Sequence, residues 1–274
     1  MRQLYLFTAL WAGCALAQAQ QAPRPEPASP ITDQFAFRAG IFYGTVSTNG
    51  RVDAPLATTA GTPFSLEQDF HLSPRVHEAR AEVMFRLNER GRLRVDLWEI
   101  LRGGVTNPTT TFVYGNHTFT PTDRVYSQFN WRQLDITWTY SLLRSKRFEL
   151  GAGMGLHLIE AEADANVPAA APTPIQQTFT GAGPFITVAV DGTWLMSRRW
   201  SCNARAQYLK LTVGAVKGSL GDYHADVQFR WRPNLAFGLG YASTLTQLNV
   251  NSGNPHGLMR LATHGPELFL RASF

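Results

Sequence analysis

An alternation of apolar and polar residues with a period of two runs through most of the chain after Phe35. Such alternation is typical of β-strands with one apolar face, whereas helices repeat every 3.6 residues. The chain has ten such segments: 35–43, 79–87, 93–102, 133–142, 148–158, 186–194, 200–216, 223–232, 235–250 and 267–274. The pattern therefore predicts an all-β protein with ten antiparallel strands, or eight if the second and fifth hairpins are misread.

The connections between these segments differ in length in a regular way. The short, turn-like connections are 88–91, 143–146, 197–199 and 232–234. The long ones are 47–73, 103–122, 161–178 and 251–263, and a briefer one spans 217–222. Alternation of short and long connections is typical of up-and-down transmembrane barrels, which have short turns on one side and longer loops on the other. Both termini then lie at the short-turn end.

The two faces of the strands indicate which solvent each one meets. One face is apolar throughout, and the other carries Arg, Glu, Asp and His alternating with Gly. Charges at this density would be very costly in an apolar core, whereas an apolar exterior suits lipid. We therefore expect residues 35–274 to form a transmembrane β-barrel, with its apolar face outward and its polar face inward.

Large aromatic residues recur near both ends of the predicted strands. Amphipathic rings favour the membrane–water boundary, so we expect two aromatic girdles. The set at the short-turn end is Phe37, Phe85, Trp138, Tyr140, Phe148, Trp194, Trp200, Trp231, Phe237 and Phe274. The set at the long-loop end is Tyr43, Phe129, Trp131, Tyr208, Tyr223 and Tyr241.

Composition narrows the class further. Of the 274 residues, 16% are charged and 44% are apolar, which argues against disorder. With two Cys there is no disulfide scaffold, and no apolar run after the first 17 residues is long enough for a membrane helix. The formal charge of +5 comes mainly from arginines scattered singly, so we expect no nucleic-acid partner.

The amino terminus predicts export. A basic start, the apolar stretch 4–12 and the small-residue pattern Ala15-Leu16-Ala17 are typical of a secretory signal peptide over residues 1–17. An alternative interpretation makes Cys14 an acylated lipoprotein cysteine. Residues 18–34 are rich in Gln, Pro and Ala, and we expect a Pro/Gln-rich periplasmic tether there.

The last segment, 265–274, alternates and ends in an aromatic residue. It resembles the final strand of bacterial outer-membrane β-barrels of the small OmpA/OmpW-like or porin-like class. The stretches ELGAGMGLHL and HGPELFLRASF also look like proteobacterial outer-membrane proteins. The resemblance implies an outer-membrane location, with lipid and lipopolysaccharide as surroundings. It also implies that the barrel-assembly machinery reads a signal in this strand, formed by Leu268, Leu270, Ala272 and Phe274.

Inward-facing charges are the main candidate site. We expect them to form an ion-paired core, with arginines from one wall filling the space left by inward glycines on the other. A sealed structural or interaction barrel is the first functional hypothesis, and a narrow channel for small solutes is the second. The residues are Arg38, Glu78, Arg80, Glu82, Arg86, Arg94, Asp96, Arg205, Asp226, Arg230, Glu267 and Arg271.

Enzyme motifs are weak. His77-Glu78 resembles the start of a zinc motif, but Ala81 stands where the second His is needed, so no metal site is predicted. No cofactor motif is present. Asp222 and His224 are weak catalytic candidates, because their spacing is similar to the Asp-x-His pair of omptins, the ten-stranded outer-membrane proteases. The second acidic pair of that family is missing. An omptin-like or lipid-modifying surface hydrolase is therefore a third hypothesis.

Overall fold

A computed structural model describes residues 29–53, 62–108, 111–114, 117–168, 175–213, 216–250 and 256–274. The signal segment 1–17, Cys14 and residues 18–28 of the expected tether lie outside these ranges. Within them, the chain forms a closed antiparallel β-barrel in which the last strand pairs with the first. No helix among the described residues is long and apolar enough to cross a membrane.

Ten long strands make the barrel wall, as the alternation predicts, and each pairs with its neighbours along the chain. A two-residue strand pairs with the first barrel strand, and two three-residue strands form a separate hairpin. In chain order the strands are β1 (Phe35–Asp53), β2 (Phe64–Ser65), β3 (Arg75–Arg86), β4 (Gly91–Thr106), β5 (Phe112–Tyr114), β6 (His117–Phe119), β7 (Val125–Arg144), β8 (Phe148–Val167), β9 (Ile175–Leu195), β10 (Trp200–Val213), β11 (Val216–Arg232), β12 (Leu235–Val250) and β13 (His256–Ser273).

The strands run further toward the long-loop end than the sequence predicts. Much of the expected loop 161–178 belongs to β8 and β9, and the expected turn 217–222 lies within β11. The strand β9 has 21 residues, whereas about 9–11 tilted residues suffice to cross a bilayer. The barrel therefore extends well past the thickness that a bilayer covers. We call the part toward the short turns the inner half and the part toward the long loops the outer half.

The solvent preference of the two faces reverses between these halves. In the inner half, apolar side chains such as Met154 and Leu270, both 58% exposed, point outward. In the outer half the outward side chains are polar, for example Gln128 and Glu160, and the inward ones are apolar. Phe129 and Trp131, which we expected in an outer aromatic girdle, are buried inside instead. Beyond the bilayer, water surrounds the barrel, so apolar rings are stabilised inside it.

The remaining predicted girdle residues do lie on the outer wall. At the short-turn end, all ten aromatic residues of the predicted set are 40% exposed or more. At the other end, Tyr43, Tyr208, Tyr223 and Tyr241 are 42–52% exposed. Two rings of aromatic side chains thus bound the apolar band of the inner half, in the arrangement that suits two membrane–water boundaries.

Residues 64–73 fold into the mouth of the barrel, inside its outer half. We call them the inner segment because they lie within the wall. The strand β3 pairs with β4 only from Arg80 to Arg86, which leaves a gap in the outer half of the wall. Leu66, Phe70 and Leu72 of the inner segment are buried beside β4. A Cβ on Gly104 of β4 would lie 2.9 Å from the Phe70 carbonyl oxygen, so glycine permits this close approach.

Residues 29–34 close the other end. We expected them to continue the tether, but they form a turn in which the Ser29 carbonyl oxygen accepts hydrogen bonds from the Thr32 and Asp33 amides, both 2.9 Å long. Ile31 and Asp33 of this turn are buried. The sequence does not predict this turn, because it lies between a Pro-rich stretch and the start of the alternating pattern.

Candidate functional site

The inner half of the barrel is filled by charged side chains, which we call the polar layer. Its members come from nearly every wall strand and from the turn at 29–34, so the closed barrel is what brings them together. They are Asp33, Arg38, Arg80, Glu82, Arg86, Arg92, Arg94, Asp96, Glu149, Asp191, Arg205, Asp226, Arg230, Glu267 and Arg271.

Glu149 on β8 is the most enclosed carboxylate of this layer. Arg86 donates to both of its oxygens, at 2.9 and 3.0 Å, and neither side chain is exposed. Ser141 donates a further hydrogen bond to the same carboxylate. Arg92 lies 3.4 Å from Glu149 and continues to Asp191 at 2.8 Å. Bidentate arginine–carboxylate pairs are among the strongest hydrogen-bonded contacts in proteins. This series of ion pairs therefore fixes β3, β4, β8 and β9 relative to each other.

A second group links opposite walls. Arg205 on β10 donates to Glu82 on β3 at 2.6 Å and to Asp96 on β4 at 3.1 Å. Arg94 lies between the groups, 3.4 Å from both Glu82 and Asp191. Since strands β10 and β3 are not neighbours in the sheet, these bonds cross the lumen. A guanidinium group that spans the lumen occupies the space that a solute would need.

A third group surrounds Arg38 on β1. It donates to Asp226 at 3.1 Å, to Glu267 at 3.0 Å and to the Nε2 atom of His224 at 2.8 Å. The guanidinium carbon also lies 3.5 Å from the centre of the Phe269 ring. Because Arg38 can only donate, His224 Nε2 accepts, which leaves its proton on Nδ1.

Asp33 forms the layer's floor at the short-turn end. It accepts two hydrogen bonds from Arg230, at 3.3 and 2.7 Å, and one from Arg271 at 3.2 Å. Arg230 also donates to the Pro233 carbonyl and to the Ser273 hydroxyl. The turn at 29–34 thus supplies the counterion of two arginines, one on β11 and one on β13.

The inward glycines of β8 face filled space, as we expected from their spacing. A Cβ on Gly151 would lie 2.8 Å from the Arg92 guanidinium and 2.5 Å from Asp191. On Gly155 it would lie 2.0 Å from the Gln207 side-chain oxygen. Long side chains from facing strands therefore occupy the volume that the glycines leave free.

A separate polar network is centred on His157 of β8. Its Nδ1 atom lies 2.5 Å from Asp135, and its Nε2 atom lies 3.0 Å from the Thr187 hydroxyl and 3.1 Å from the Gln207 oxygen. An Asp–His–hydroxyl series also occurs in nucleophilic enzymes. Here Thr187 donates to Gln207 at 2.9 Å, and both His157 and Thr187 are buried. This network serves to satisfy buried polar groups.

Above the charges, the outer half contains what we call the apolar layer. Arg80 marks the boundary, with its guanidinium carbon 4.9 Å from the Phe42 ring centre and 4.7 Å from that of Trp98. The buried side chains of this layer are Phe42, Val46, Leu66, Phe70, Leu72, Val76, Trp98, Ile100, Phe119, Val125, Phe129, Trp131, Ile159, Ala161, Ala165, Val167, Leu220, Ala242 and Leu261.

One ion pair lies inside the outer half and holds the inner segment in place. Glu67 accepts from Arg102 at 2.5 Å and from the Thr48 amide at 2.8 Å. Arg102 also donates to the Ser73 carbonyl and to the Thr48 hydroxyl. The inner segment therefore supplies the counterion of a buried arginine and three apolar side chains to the same layer.

Two small cavities lie within the polar layer. One cavity, lined by Arg80, Asp96 and Arg205 among others, has a volume of about 20 Å³. A second, lined by Arg94, Asp191 and Asn203 among others, has about 50 Å³. Volumes of this size hold one or a few water molecules. They are far smaller than the several hundred Å³ of a typical small-molecule site.

Most of the predicted lumen residues meet in this layer, and one does not. Glu78 lies at the gap between β3 and β4, beyond the last β3 residue that pairs with β4, and so outside the polar layer. Sequence reasoning missed Asp33, Arg92, Glu149 and Asp191. The last two share the inward parity of neighbouring polar residues, so parity was the available signal. Arg92 lies beside a predicted turn. Asp33 lies outside every predicted strand, so alternation along a strand could not have identified it.

The two weak catalytic candidates lie deep inside the barrel. We expected Asp222 and His224 beside an outer connection, but β11 begins at Val216 and carries them inward. Asp222 accepts from Thr244 at 2.8 Å, and His224 is held by Arg38. Both are buried. Among the described residues, no group of three or more His, Cys, Asp or Glu could hold a metal ion.

Leu268, Leu270 and Ala272 of the predicted assembly signal lie on the outward face of β13, and Phe274 follows its last residue. Leu268 and Leu270 are 55% and 58% exposed, and Phe274 is 67% exposed. The Phe274 amide donates to the Phe35 carbonyl at 2.8 Å, which joins the end of the chain to the start of the barrel. The last strand therefore closes the wall and presents an apolar stripe outside.

Comparisons with known proteins agree on the architecture. No protein-family model matches the sequence, and no curated protein matches it. Among solved structures, the outer-membrane protease OmpT of Escherichia coli aligns with a TM-score of 0.55 over 93% of this chain and 99% of that one, at 12% identity. The chain has the fold of bacterial outer-membrane β-barrels.

Two further matches are to outer-membrane barrels with lower scores. Neisserial surface protein A aligns over 88% of this chain and 97% of its own, with 12% identity and a TM-score of 0.33. The toluene transporter TodX of Pseudomonas putida covers 91% and 92%, with 6% identity and a TM-score of 0.34. At these identities the likeness concerns the fold alone, and it says nothing about the activity of this chain.

Proposed function

We propose that this protein is an integral barrel of the bacterial outer membrane with a sealed lumen, which acts structurally or through interactions at its outer surfaces. One observation carries the proposal: two stacked layers fill the interior. The two cavities described within the polar layer have volumes of about 20 and 50 Å³, and the apolar layer above it includes the inner segment. A solute would have to break both layers in turn.

The energetics of the polar layer favour a permanently closed state. Removing one partner of a buried ion pair costs about 3–5 kcal/mol, because the other charge stays buried without compensation. A path along the lumen would have to displace Arg205 from Glu82 and Asp96, and Arg38 from Asp226 and Glu267. Thermal opening of such a network is rare.

The outer wall supports placement in the outer membrane. An apolar band bounded by aromatic rings suits a bilayer, and it is the reason that we propose outer-membrane lipid and lipopolysaccharide as the protein's surroundings. Export by the segment 1–17 and recognition of Leu268, Leu270, Ala272 and Phe274 by the barrel-assembly machinery belong to the same proposal. They rest on the sequence pattern of both termini.

Single-channel recording tests the sealed lumen. The refolded mature chain is inserted into a planar bilayer, after heat-modifiable gel mobility has shown that it is folded. We expect no stepwise conductance. Steady conductance steps that follow the amount of folded protein would contradict the sealed lumen and favour the narrow channel.

Cysteine accessibility provides an independent test that does not depend on current. In a Cys202→Ser background, Thr137→Cys places a thiol inside the barrel, at a position that is 2% exposed. Gln128→Cys places one on the exposed outer wall of the same strand, as the matched control. We expect a small water-soluble thiol reagent to label the control rapidly and Thr137→Cys at least tenfold more slowly. Equal rates would overturn the proposal.

A further inference from the structure

The outward face of the outer half has charges of opposite sign on two sides of the barrel. On β4, β7 and β8 it carries Glu99, Glu160, Glu162 and Asp164 beside a single arginine, Arg132. Arg132 is 2.7 Å from Glu99 and 3.8 Å from Glu160, so this side also satisfies part of its own charge.

The other side, formed by β10, β11, β13, β1 and β3, is basic. Lys210, Lys217, Arg260 and Arg75 all point outward and are exposed, as is His264. Among the side chains that the structure describes on these outward faces, and on that of β12 between them, there is no carboxylate. Cations therefore outnumber anions among the described side chains of the basic side, and this side attracts anions from outside.

Three of the cations are placed above the outer aromatic ring. Lys210 lies two residues beyond Tyr208 on β10, and Lys217 lies six residues beyond Tyr223 on β11. The strand register places Lys210, Ser219, Gln247 and Arg260 in one row across β10, β11, β12 and β13. This row offers two cations with hydrogen-bonding groups between them, beyond the outer aromatic ring.

A groove lies below these cations on the same strands. Small residues at Gly192, Ala204 and Ala225 form its floor, and the rings of Trp194 and Tyr241 stand at its sides. Its volume is about 650 Å³. The side chains of Trp194 and Tyr241 are more than half exposed, so they rise from the wall and leave a trough between them.

The separation of the groove floor from Lys210 matches the depth of one lipid leaflet. Ala204 and Lys210 are six residues apart on β10, or about 20 Å along the strand. At a tilt of about 45° this is about 14 Å of depth, close to half of the ~30 Å hydrocarbon core. A molecule with its anionic group at Lys210 would place an acyl chain in the groove.

We infer that the β9–β13 side of the barrel, continued onto β1, binds a phosphate-bearing acylated lipid of the outer leaflet, with its phosphates at Lys210, Lys217 and Arg260 and an acyl chain in the groove. Phosphate suits these cations because it is the common anionic group of lipid headgroups. A free phosphate ion would leave the apolar groove unfilled, whereas an acylated lipid occupies both the cations and the groove. The inference goes beyond the sealed lumen, and rests only on the orientation proposed above.

Native mass spectrometry of the refolded mature chain in detergent tests the inference. The probe is a diphosphorylated acyl-glucosamine lipid of the lipid A type, compared with the same lipid after phosphate removal. We expect the diphosphorylated form to stay bound and the phosphate-free form to dissociate. The variant Lys210→Gln/Lys217→Gln/Arg260→Gln should weaken binding by about a hundredfold, since each surface cation contributes about 1 kcal/mol toward an anionic lipid.

Matched controls keep the result specific. Lys146→Gln makes the same chemical change in a short turn at the other end of the barrel and should leave binding unchanged. Ala225→Phe fills the groove and should weaken binding, whereas Ala81→Phe, on the outward face of β3 and away from the groove, should not. Equal binding by the triple variant, or equal retention of the phosphate-free lipid, would overturn the inference. Either outcome is independent of whether the lumen conducts.

Discussion

The inner and outer halves of this barrel are built from the same strands with opposite solvent rules. On β7, inward Thr137 and outward Trp138 lie in the inner half, whereas inward Trp131 and outward Arg132 lie in the outer half. The apolar side chain is outside in the first pair and inside in the second. The reversal occurs between Arg132 and Leu134, without any break in the strand.

The comparison shows that the surrounding medium, and not the strand itself, determines which face is apolar. A bilayer offers no hydrogen bonds, so polar groups turn inward and must find partners there. Water offers them freely, so the outer half can form an ordinary apolar core. Each half is therefore vulnerable to a different kind of substitution.

Breaking an ion pair of the polar layer should have the largest effect. Arg86→Met leaves Glu149 enclosed with less compensation, and we expect a loss of about 3–5 kcal/mol in the free energy of unfolding. Urea titration in lipid vesicles, followed by tryptophan fluorescence, measures it. Arg90→Met, in the exposed turn before β4, is the control and should change stability by less than about 0.5 kcal/mol. Equal losses in the two variants would mean that the layer does not stabilise the fold.

A charge placed on the outer wall should distinguish the halves directly. Ile136→Lys introduces an ammonium group on the apolar band and should cost about 2–4 kcal/mol. Gln128→Lys makes the same change on the same face of β7, eight residues further out, and should cost almost nothing. The same urea titration compares them. A similar cost at both positions would contradict the assignment of the bilayer to the inner half.

The smallest effect is expected for an exposed ion pair of the outer half. Arg132 and Glu99 are 2.7 Å apart, but their side chains are 55% and 42% exposed. Exposed pairs contribute little, because water screens both charges, so Arg132→Ala should shift the unfolding midpoint only slightly. A loss as large as that of Arg86→Met would show that this part of the wall is shielded from water.

Sequence alone predicted the inner half better than the outer half. Strict alternation with an aromatic boundary gave the ten strands, because lipid enforces one apolar face. In the outer half the rule reverses, and outward polar residues such as Glu160 and Asp164 resemble loop composition. Phe129 and Trp131 were therefore assigned to the wrong side.

The candidate site was predictable in kind but not in its pairings. Parity placed Arg38, Glu82 and Arg205 inside, since inward positions follow from the alternation. Which carboxylate meets which arginine depends on strand tilt and on contacts across the lumen, for example from Arg205 to Asp96. These distances are set by barrel closure, and Asp33 enters from a turn outside any repeating pattern.

The turn at 29–34 makes its stabilising contacts only when the last strands of the barrel are in place. Asp33 is paired with Arg230 and Arg271, which lie on β11 and on the final strand, and the Gln34 and Phe35 amides donate to the carbonyl of the last residue, Phe274. A chain that lacks its last strand leaves Asp33 without one of its two partners and the first strand with only one of its two neighbours in the barrel wall. The start of the barrel thus depends on its end, and without β13 the wall has no closed form to occupy.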